Sequence, residues 1–183
     1  GCIELEDGWQ GHCPGQFAFV PSKKSEGAHP YTIASAWNPD DPALTFVIKQ
    51  LGDWTGQLDD WLHVGLPVKV EGPYGCFDFN DGLPRQIWVG AGIGITPFIA
   101  KMKHLAHSGG QQQIDLFHTT TDFDQGAIDK LCADAAAANI NLHLTVTTRD
   151  GHLTPAQIRD AVPQWREGSV WFCGPSGFGD ELK

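Results

Sequence analysis

The stretch Arg85-Gln86-Ile87-Trp88-Val89-Gly90-Ala91-Gly92-Ile93-Gly94-Ile95-Thr96-Pro97-Phe98 decides the fold, because an apolar run breaks into three alternating glycines and then resumes. Ile87 to Val89 predict a strand buried on both faces. We expect Thr96 to cap the helix that follows, with Pro97 in its first position. The three glycines then fall in the turn. Without Cβ atoms, this turn can approach a ligand closely and direct amide hydrogens, with the helix dipole, at an anion such as a pyrophosphate.

The spacing of these glycines departs from the usual dinucleotide-binding fingerprint. The third glycine comes two residues after the second, and the last position of the fingerprint holds Ile95. Taken alone, the turn therefore also fits a tight connection between a strand and a helix that binds no ligand. The remaining motifs of the chain have to decide between these two interpretations.

The composition predicts a soluble globular protein of one medium domain or two small ones, since the chain has 183 residues. A formal charge of -10, with cations scattered singly apart from Lys23-Lys24, argues against a nucleic-acid surface. No apolar run approaches the ~20 residues that span a bilayer, and nothing at Gly1 resembles a signal peptide. Five distant cysteines without a C-x-x-C pair indicate reduced thiols, so we expect a cytoplasmic setting.

Residues 1–84 alternate short β-prone runs with turns rich in Gly, Pro and Asp. This spacing predicts an antiparallel β-barrel. Within it, Thr55 to Leu62 alone predicts a helix, with Thr55 as its cap. The expected strands are Cys2 to Leu5, Gln16 to Val20, Tyr31 to Ala34, Leu44 to Gln50 and Val68 to Glu71.

Residues 85–183 alternate strands with helices, which predicts right-handed crossovers and a parallel sheet. The predicted fold is therefore an N-terminal antiparallel β-barrel domain, residues 1–84, followed by an α/β nucleotide-binding domain, residues 85–183. A helix beginning at Phe178 would be too short to bury a face, so we expect the second domain to be C-terminally incomplete. Beyond the glycine turn, we expect strands at Ile114 to His118, Asn141 to Thr147 and Ser169 to Cys173, and helices at Pro97 to His107, Asp124 to Ala138 and from Thr154-Pro155.

Two motifs of the first half have the residue types of a cofactor site. In His29-Pro30-Tyr31-Thr32-Ile33-Ala34-Ser35, an aromatic ring and a hydroxyl stand side by side at the start of a strand. Tyr31 can lie against a planar ring while Thr32 bonds its edge, or both can be ordinary strand residues. Gly52-Asp53-Trp54-Thr55-Gly56 is a second glycine turn before a helix, which fits either a second anion site or a simple helix cap.

One further motif follows the last predicted strand of each half. These motifs are Gly72-Pro73-Tyr74-Gly75 and Cys173-Gly174-Pro175-Ser176-Gly177. Ligands of open parallel sheets bind beyond the carboxyl ends of the strands, so we expect Cys173 at the same edge as the glycine turn. The alternative for Cys173 is a small buried apolar residue.

These five motifs occur in the order and rough spacing seen in the cytosolic dehydrogenase portion of the ferric reductase and NADPH oxidase family. That portion belongs to the ferredoxin:NADP reductase superfamily, and the chain resembles it over nearly its whole length. The resemblance implies an FAD-dependent NAD(P)H oxidoreductase. It also implies, as a partner, a haem-containing transmembrane segment of the same parent protein, with this chain on the cytoplasmic face of the membrane.

For FAD, the resemblance implies that Tyr31 stacks on the isoalloxazine and that Thr32 bonds near its N5 edge. His29 stands where many superfamily members have an Arg for the pyrophosphate. Since a neutral His is a weaker partner for an anion than Arg, we expect other groups to contribute more of the phosphate contact. The implied FAD-binding residues are His29, Pro30, Tyr31, Thr32, Ser35, Lys49, Gly52, Trp54 and Thr55.

For the nicotinamide coenzyme, NADPH or NADH, the resemblance implies a site over the glycine turn. Thr32 and Cys173 would flank the point at which hydride passes from the nicotinamide to the flavin. The implied coenzyme-binding residues are Gly90, Gly92, Gly94, Thr96, Cys173 and Gly174.

The choice between NADPH and NADH depends on the loops after the next two strands. NADPH oxidases usually have an Arg in the segment where this chain has Thr119-Thr120-Thr121-Asp122. Arg149 instead matches the position that grips the 2′-phosphate in plant-type ferredoxin reductases. Arg149 can equally be a solvated loop residue, and Asp122 can favour NADH by bonding the ribose hydroxyls.

Other classes of site find less support in the sequence. His104 and His107 stand at i and i+3 on a predicted helix, but with no third ligand in view we predict no metal site. Two rival functions remain open. One is a soluble reductase that serves ferredoxin or another small carrier, and the other is a nucleotide-binding regulatory module without turnover.

Overall fold

The computed structural model describes residues 1–6, 8–21, 27–48 and 63–182. In the first half, strand β1 (Cys2–Glu4) pairs antiparallel with β4 (Ala43–Thr45). Strand β2 (Phe17–Pro21) pairs antiparallel with both β3 (Ala28–Thr32) and β5 (Glu71–Tyr74). The predicted antiparallel arrangement is confirmed, whereas closure into a barrel stays a prediction. The predicted helix from Thr55 to Leu62 lies outside the described residues.

A small apolar core joins these antiparallel strands. Ala18, Ile33, Leu44 and Phe46 are each at most 4% exposed and form one cluster. A bridge between Ile33 and Phe46 connects the end of β3 to the end of β4. Because alternate residues of a strand face opposite sides, this core takes alternate residues of each strand and leaves their neighbours on the outer face.

The position of β5 differs from the prediction. The sequence predicts a strand over Val68 to Glu71, but β5 begins at Glu71 and ends at Tyr74. The partner strand decides this, since β2 pairs Phe19 with Glu71 and Phe17 with Tyr74. A β-prone run becomes a strand only where a neighbouring strand satisfies its amides and carbonyls.

The second half is a four-stranded parallel sheet in the order β8-β7-β6-β9, which confirms the predicted parallel arrangement. Its strands are β6 (Arg85–Ala91), β7 (Gln113–Thr120), β8 (Asn141–Val146) and β9 (Gly168–Cys173). Its α-helices are α1 (Thr96–Ser108), α2 (Gln125–Ala137), α3 (Thr147–Asp150), α4 (Pro155–Ala161) and α5 (Ser176–Glu181). Short 3₁₀ turns cover Gly92–Ile95 and Trp165–Glu167.

The two faces of this sheet bury different residues of the same strands. Trp88 packs with Phe98 of α1 on one face, while Ile87 and Val89 pack with Ile158 of α4 on the other. The residues from Gln86 to Gly90 are all buried, as expected for a strand that is covered on both sides. The sheet is therefore held between helices, and its carboxyl ends form one common edge.

Two helices begin where the sequence predicts them, each with a side-chain cap, whereas the cap predicted for α1 does not form. The Asp124 side chain accepts a hydrogen bond from an amide of the first turn of α2, and Thr154 forms a capping box with Gln157 at α4. Thr96, predicted to cap α1, is instead its first residue and donates its hydroxyl to the Ile93 carbonyl at 2.7 Å. A cap needs extended backbone, and here the 3₁₀ turn runs straight into the helix.

The segment between β5 and β6 packs onto the parallel sheet. Phe79 lies 5.0 Å from Trp88 between ring centroids, and the Trp171 indole donates to the Asp81 carboxylate at 2.9 Å. Burial raises the pKa of Asp81, but hydrogen bonds outweigh it and lower the pKa to about 2; the donors are Ser169, the Leu83 amide, Trp171 and Gln86. The connecting segment is therefore anchored to the second half by an ionised, fully engaged carboxylate.

Candidate functional site

The glycine turn lies at the carboxyl edge of the parallel sheet, between β6 and α1. Gly92 has a φ of +56°, a conformation that favours glycine, and a Cβ added there would meet nothing within 4 Å. A Cβ on Gly94 would instead stand 2.1 Å from the Cys173 carbonyl oxygen. The turn is thus open on the side of Gly92 and closed against the end of β9 on the side of Gly94.

The predicted partners of the turn come together at this edge. Gly90 pairs with Cys173 in the register of β6 and β9. A Cβ on Gly174 would lie 2.7 Å from the Cβ of Ala91. Gly90 itself belongs to β6, so only Gly92 and Gly94 lie in the turn proper. Burial raises the pKa of the Cys173 thiol, so this side chain is neutral at pH 7.

The first turn of α1 has the electrostatic properties of an anion site. It contains no acidic residue, and the 3₁₀ turn that begins at the open Gly92 leads into it. The amide groups at the start of a helix carry partial positive charge, which attracts phosphate. The residues present therefore fit a dinucleotide, whose pyrophosphate would contact backbone rather than side chains. The Thr96 hydroxyl already bonds to Ile93.

His118 supports the turn from the neighbouring strand, a role that the sequence did not reveal. Its Nδ1 lies 2.9 Å from the carbonyl oxygen of Gly90, and the side chain is 8% exposed. Burial lowers the pKa of His118, so the neutral ring donates Nδ1–H to that carbonyl. A histidine inside the apolar run of β7 was the available signal, but the register that sets it beside Gly90 is a tertiary property.

Arg149 and Asp122 flank the same edge, beyond β8 and β7. The two loops are tied together, since the Thr147 hydroxyl donates to the Thr120 carbonyl at 3.3 Å. Arg149 is in the short helix α3, and its guanidinium bonds to Asp150 through Nε at 2.6 Å and through Nη2 at 2.8 Å. This pair lowers the pKa of Asp150 to about 2 and raises the pKa of Arg149. Arg149 is 60% exposed, so an incoming anion can reach it.

The predicted FAD residues of the first half lie along β3. His29 and Tyr31 pair with Val20 and Ala18 on the face of the antiparallel core, while Pro30 and Thr32 belong to the opposite face. Burial raises the pKa of the Tyr31 phenol, and the Tyr31 ring meets Phe46 edge-on at 6.1 Å. The Tyr31 ring and the Thr32 hydroxyl therefore point to opposite faces of β3, so stacking by Tyr31 and hydrogen bonding by Thr32 at one flavin ring remain a prediction.

Ser35 has a structural position at the end of this motif. Its hydroxyl donates to the Ala43 carbonyl at 3.3 Å and accepts from the Thr45 amide at 3.1 Å, so it joins β4 to the segment after β3. The remaining predicted FAD residues, Lys49, Gly52, Trp54 and Thr55, lie outside the described residues.

Neither a metal-binding cluster nor a helix of membrane-spanning character occurs in the described part of the chain. Across those residues, no group of three or more His, Cys, Asp or Glu side chains is placed to hold a metal ion. None of the helices described has the length and apolar character needed to cross a membrane.

Comparison with protein families assigns residues 7–77 to an FAD-binding domain. The chain is 30% identical over 141 residues to a heavy chain of the superoxide-generating NADPH oxidase of Dictyostelium discoideum, covering 66% of this chain and 26% of that protein. It is 40% identical over 96 residues to ferric reduction oxidase 5 of Arabidopsis thaliana, covering 49% and 13%. It is 27% identical over 180 residues to the reductase component of propane 2-monooxygenase from Rhodococcus jostii (strain RHA1), covering 88% and 48%. The chain thus spans half or less of each of these relatives.

Among solved structures, the FAD/NAD-binding domain of a nitric oxide dioxygenase from Vibrio cholerae superposes with a TM-score of 0.80 at 18% identity, covering 98% of this chain and 81% of that one. At this identity the likeness concerns the fold alone. The fold, the FAD-binding domain and the relatives agree with one another. Residues 7–77 thus belong to a family of FAD-binding domains, and the chain resembles the dehydrogenase portions of NADPH oxidases and ferric reductases.

Proposed function

We propose that this chain is the dehydrogenase module of a ferric reductase-like oxidoreductase, which carries electrons from NADPH or NADH through FAD to a haem acceptor. The observation that carries the proposal is the contact at the carboxyl edge of the sheet, where the glycine turn lies against Cys173 and Gly174. This contact brings the open glycine turn, our proposed anion site, close to a partly buried neutral thiol. The module would consist of an FAD-binding domain, residues 1–84, closed as a barrel, and an NAD(P)-binding domain, residues 85–183.

In this proposal β3 holds the flavin. Tyr31 contributes apolar contact area, Thr32 a hydrogen bond to the ring edge, and His29 and Pro30 the approach to the pyrophosphate. Lys49 and the amides around Gly52, Trp54 and Thr55 would supply further phosphate contacts. When bound, FAD supplies the conversion of a two-electron donor into single electrons for the next carrier.

The second half holds and orients the coenzyme. The amides after Gly92 would take the pyrophosphate, while His118 holds the Gly90 carbonyl in place. Cys173 is partly buried at the end of β9 and uncharged, so it presents an apolar, water-excluding surface beside the nicotinamide. Positioning of this kind is the main contribution that a protein makes when the cofactor carries the chemistry.

We infer that Arg149 favours NADPH over NADH. It stands beyond the carboxyl end of β8, and it is more exposed than its partner Asp150, at 60% against 33%. A 2′-phosphate would displace the Asp150 carboxylate from the guanidinium, and the two charges of a phosphate make it the stronger partner. Asp122, beyond β7, is the alternative residue for contact with the ribose, and hydrogen bonds from the ribose hydroxyls to its carboxylate would favour NADH.

The acceptor in this proposal is a haem in a membrane-embedded part of the same parent protein, with the chain on the cytoplasmic face. The names of the NADPH oxidase and ferric reduction oxidase relatives support this assignment. The reductase component of propane 2-monooxygenase supports an alternative, since it matches 88% of the chain. In that case the acceptor would be a soluble carrier or oxygenase. Apolar spans of ~20 residues encoded upstream in the parent gene would favour the membrane acceptor.

The function is tested by the absorption spectrum of the chain reconstituted with FAD, recorded before and after anaerobic addition of NADPH. We expect a yellow protein that bleaches. A protein that binds FAD but does not bleach with either NADPH or NADH would be a regulatory nucleotide-binding module instead.

The variant Gly92→Val separates the two cofactor sites. A side chain at this position enters the open side of the turn and forces a β-branched residue to a φ of +56°. We expect Gly92→Val to keep FAD and to lose bleaching by NADPH. Loss of both properties in a protein with a wild-type circular dichroism spectrum would contradict the division into two sites.

A further inference from the structure

A cavity lies on the side of the fold away from the proposed coenzyme edge. It is a cleft of about 880 Å³ between the first half, which contributes His12 and Trp37, and helix α1, which contributes Lys101. Pro84 and Gln112 also line it, and they stand just before β6 and β7. The cleft therefore opens at the amino ends of these strands. The length of β6, at the usual rise per residue of a strand, separates it from the glycine turn by about 20 Å.

Lys101 gives the cleft a positive charge that has no directly ion-paired partner among the described residues. Its side chain is partly buried, and among the described residues the ammonium has no hydrogen-bonded or ion-paired acceptor. It lies 5.5 Å from the centroid of the Phe79 ring, and burial lowers its pKa, against the opposing influence of Cys13 and Asp78. An ammonium that has lost part of its water without gaining an acceptor favours the binding of an anion.

The rest of the lining limits the charge of that anion. His104 lies beside Lys101 on α1, and burial, with the charge of Lys101, lowers its pKa, so it is neutral at pH 7. Asp78, on the wall of the cleft, is exposed and negative. With one cation and one nearby carboxylate, a ligand with several phosphates would be repelled, whereas a single carboxylate matches Lys101.

The wall of the first half is aromatic and has unused hydrogen-bonding capacity. The His12 ring is 8% exposed, and it packs edge-on against Trp37 with the ring centroids 5.7 Å apart. His12 Nε2 bonds to the Ser35 carbonyl at 2.9 Å, while the buried Nδ1 has no partner among the described residues. Trp37 adds aromatic surface, and such a face can hold a planar ring.

We propose that this cleft binds a small organic monoanion with a planar ring, an aromatic carboxylate, whose carboxylate contacts Lys101 and whose ring lies against Trp37. Such a ligand would touch both halves of the fold at once. None of the residues that line the cleft is among those assigned to FAD or the coenzyme, so the proposal stands whether or not the chain reduces a haem.

The test is calorimetric titration of the FAD-reconstituted chain with 2-naphthoate, compared with acetate and with the neutral 2-naphthamide. We expect saturable binding of 2-naphthoate and clearly weaker binding of the other two, since each lacks either the ring or the charge. Lys101→Met should weaken 2-naphthoate by about 10-fold or more, because it removes a charge-assisted hydrogen bond and keeps the apolar stem.

Lys103→Met is the matched control, because Lys103 is on the same helix but does not line the cleft. We expect it to bind 2-naphthoate as the wild type does. Equal weakening in both variants would show a general charge effect and would overturn the proposal. Unchanged affinity in Lys101→Met, or no binding to the wild type, would overturn it too. Displacement of 2-naphthoate by 2′-phospho-AMP would place the ligand in the coenzyme site and would equally refute it.

Discussion

The packing of Gly94 against β9 leads to a sharp prediction for Gly94→Ala. The added Cβ would lie 2.1 Å from the carbonyl oxygen of Cys173 and 2.6 Å from its carbonyl carbon. These are backbone atoms of a paired strand, so no side chain can rotate to relieve the contact. Ordinary contacts begin at about 3.4 Å, and the turn and the strand end must therefore separate by about 1.3 Å.

The magnitude follows from the rigidity on both sides of this contact. Forcing an extra methyl group into a packed site costs about 1 to 3 kcal/mol, and we expect the upper part of that range because backbone has to move. The usual gain from replacing glycine, about 0.4 to 1 kcal/mol through the unfolded chain, offsets only part of this. A displacement of about 1 Å in the turn should also slow flavin reduction by NADPH on the order of 100-fold.

The measurements are urea denaturation, for the free energy of unfolding, and anaerobic stopped-flow reduction of the bound flavin. Gly92→Ala is the control for stability, since Gly92 lies in the same turn at positive φ but has open space around it. We expect Gly92→Ala to lose about 1 kcal/mol through backbone strain alone. If Gly94→Ala were as stable as the control and reduced its flavin at the wild-type rate, the contact with Cys173 would not have the importance assigned to it.

Three further predictions concern the flavin, the coenzyme and the connecting segment. Tyr31→Ala should weaken FAD binding by about 1 to 3 kcal/mol in titrations of apo-protein, while Tyr31→Phe keeps the ring and should bind normally; equal affinity for all three would exclude stacking. Arg149→Ala should weaken NADPH by about 10 to 150-fold and NADH little, with the exposed Arg159→Ala as control, and equal losses for both coenzymes would make Asp122 the better candidate. Asp81→Ala should destabilise the fold by about 1 to 3 kcal/mol, because the Ser169 hydroxyl loses its carboxylate acceptor and the Trp171 indole keeps only its bond to Ser169. The pKa of Asp81 is lowered from 3.8 to about 2, so the stabilisation that its carboxylate provides is complete above pH 3.8 and is lost as the pH falls toward 2. If the free energies of unfolding of the wild type and of Asp81→Asn differed by the same amount across this window, the linkage would be wrong.

The local features of this chain could be predicted because each depends on neighbours in sequence. The apolar run before Gly90 predicts a buried strand, and Asp124 and Thr154 predict helix starts, since a cap interacts only with the next few amides. The alternation of strands with helices likewise predicted the parallel sheet, because the connection between two neighbouring parallel strands has to run the length of the sheet and is usually a helix. For the candidate site, the shared edge at the carboxyl ends of parallel strands also predicted that Cys173 lies near the glycine turn.

Pairing and long-range contacts were decided only in the folded chain. The register of β2 set β5 at Glu71–Tyr74, and the run of the 3₁₀ turn into α1 removed Thr96 from the cap position. No pattern in the sequence connects Asp81 with Trp171, which is 90 residues later, or Lys101 with Trp37 across the cleft. Periodicity reports which side of an element is buried, but not what it is buried against. The glycine turn is therefore a property of the sequence, whereas the support from His118, the anchoring of Asp81 and the cleft exist only because the tertiary fold brings distant segments into contact.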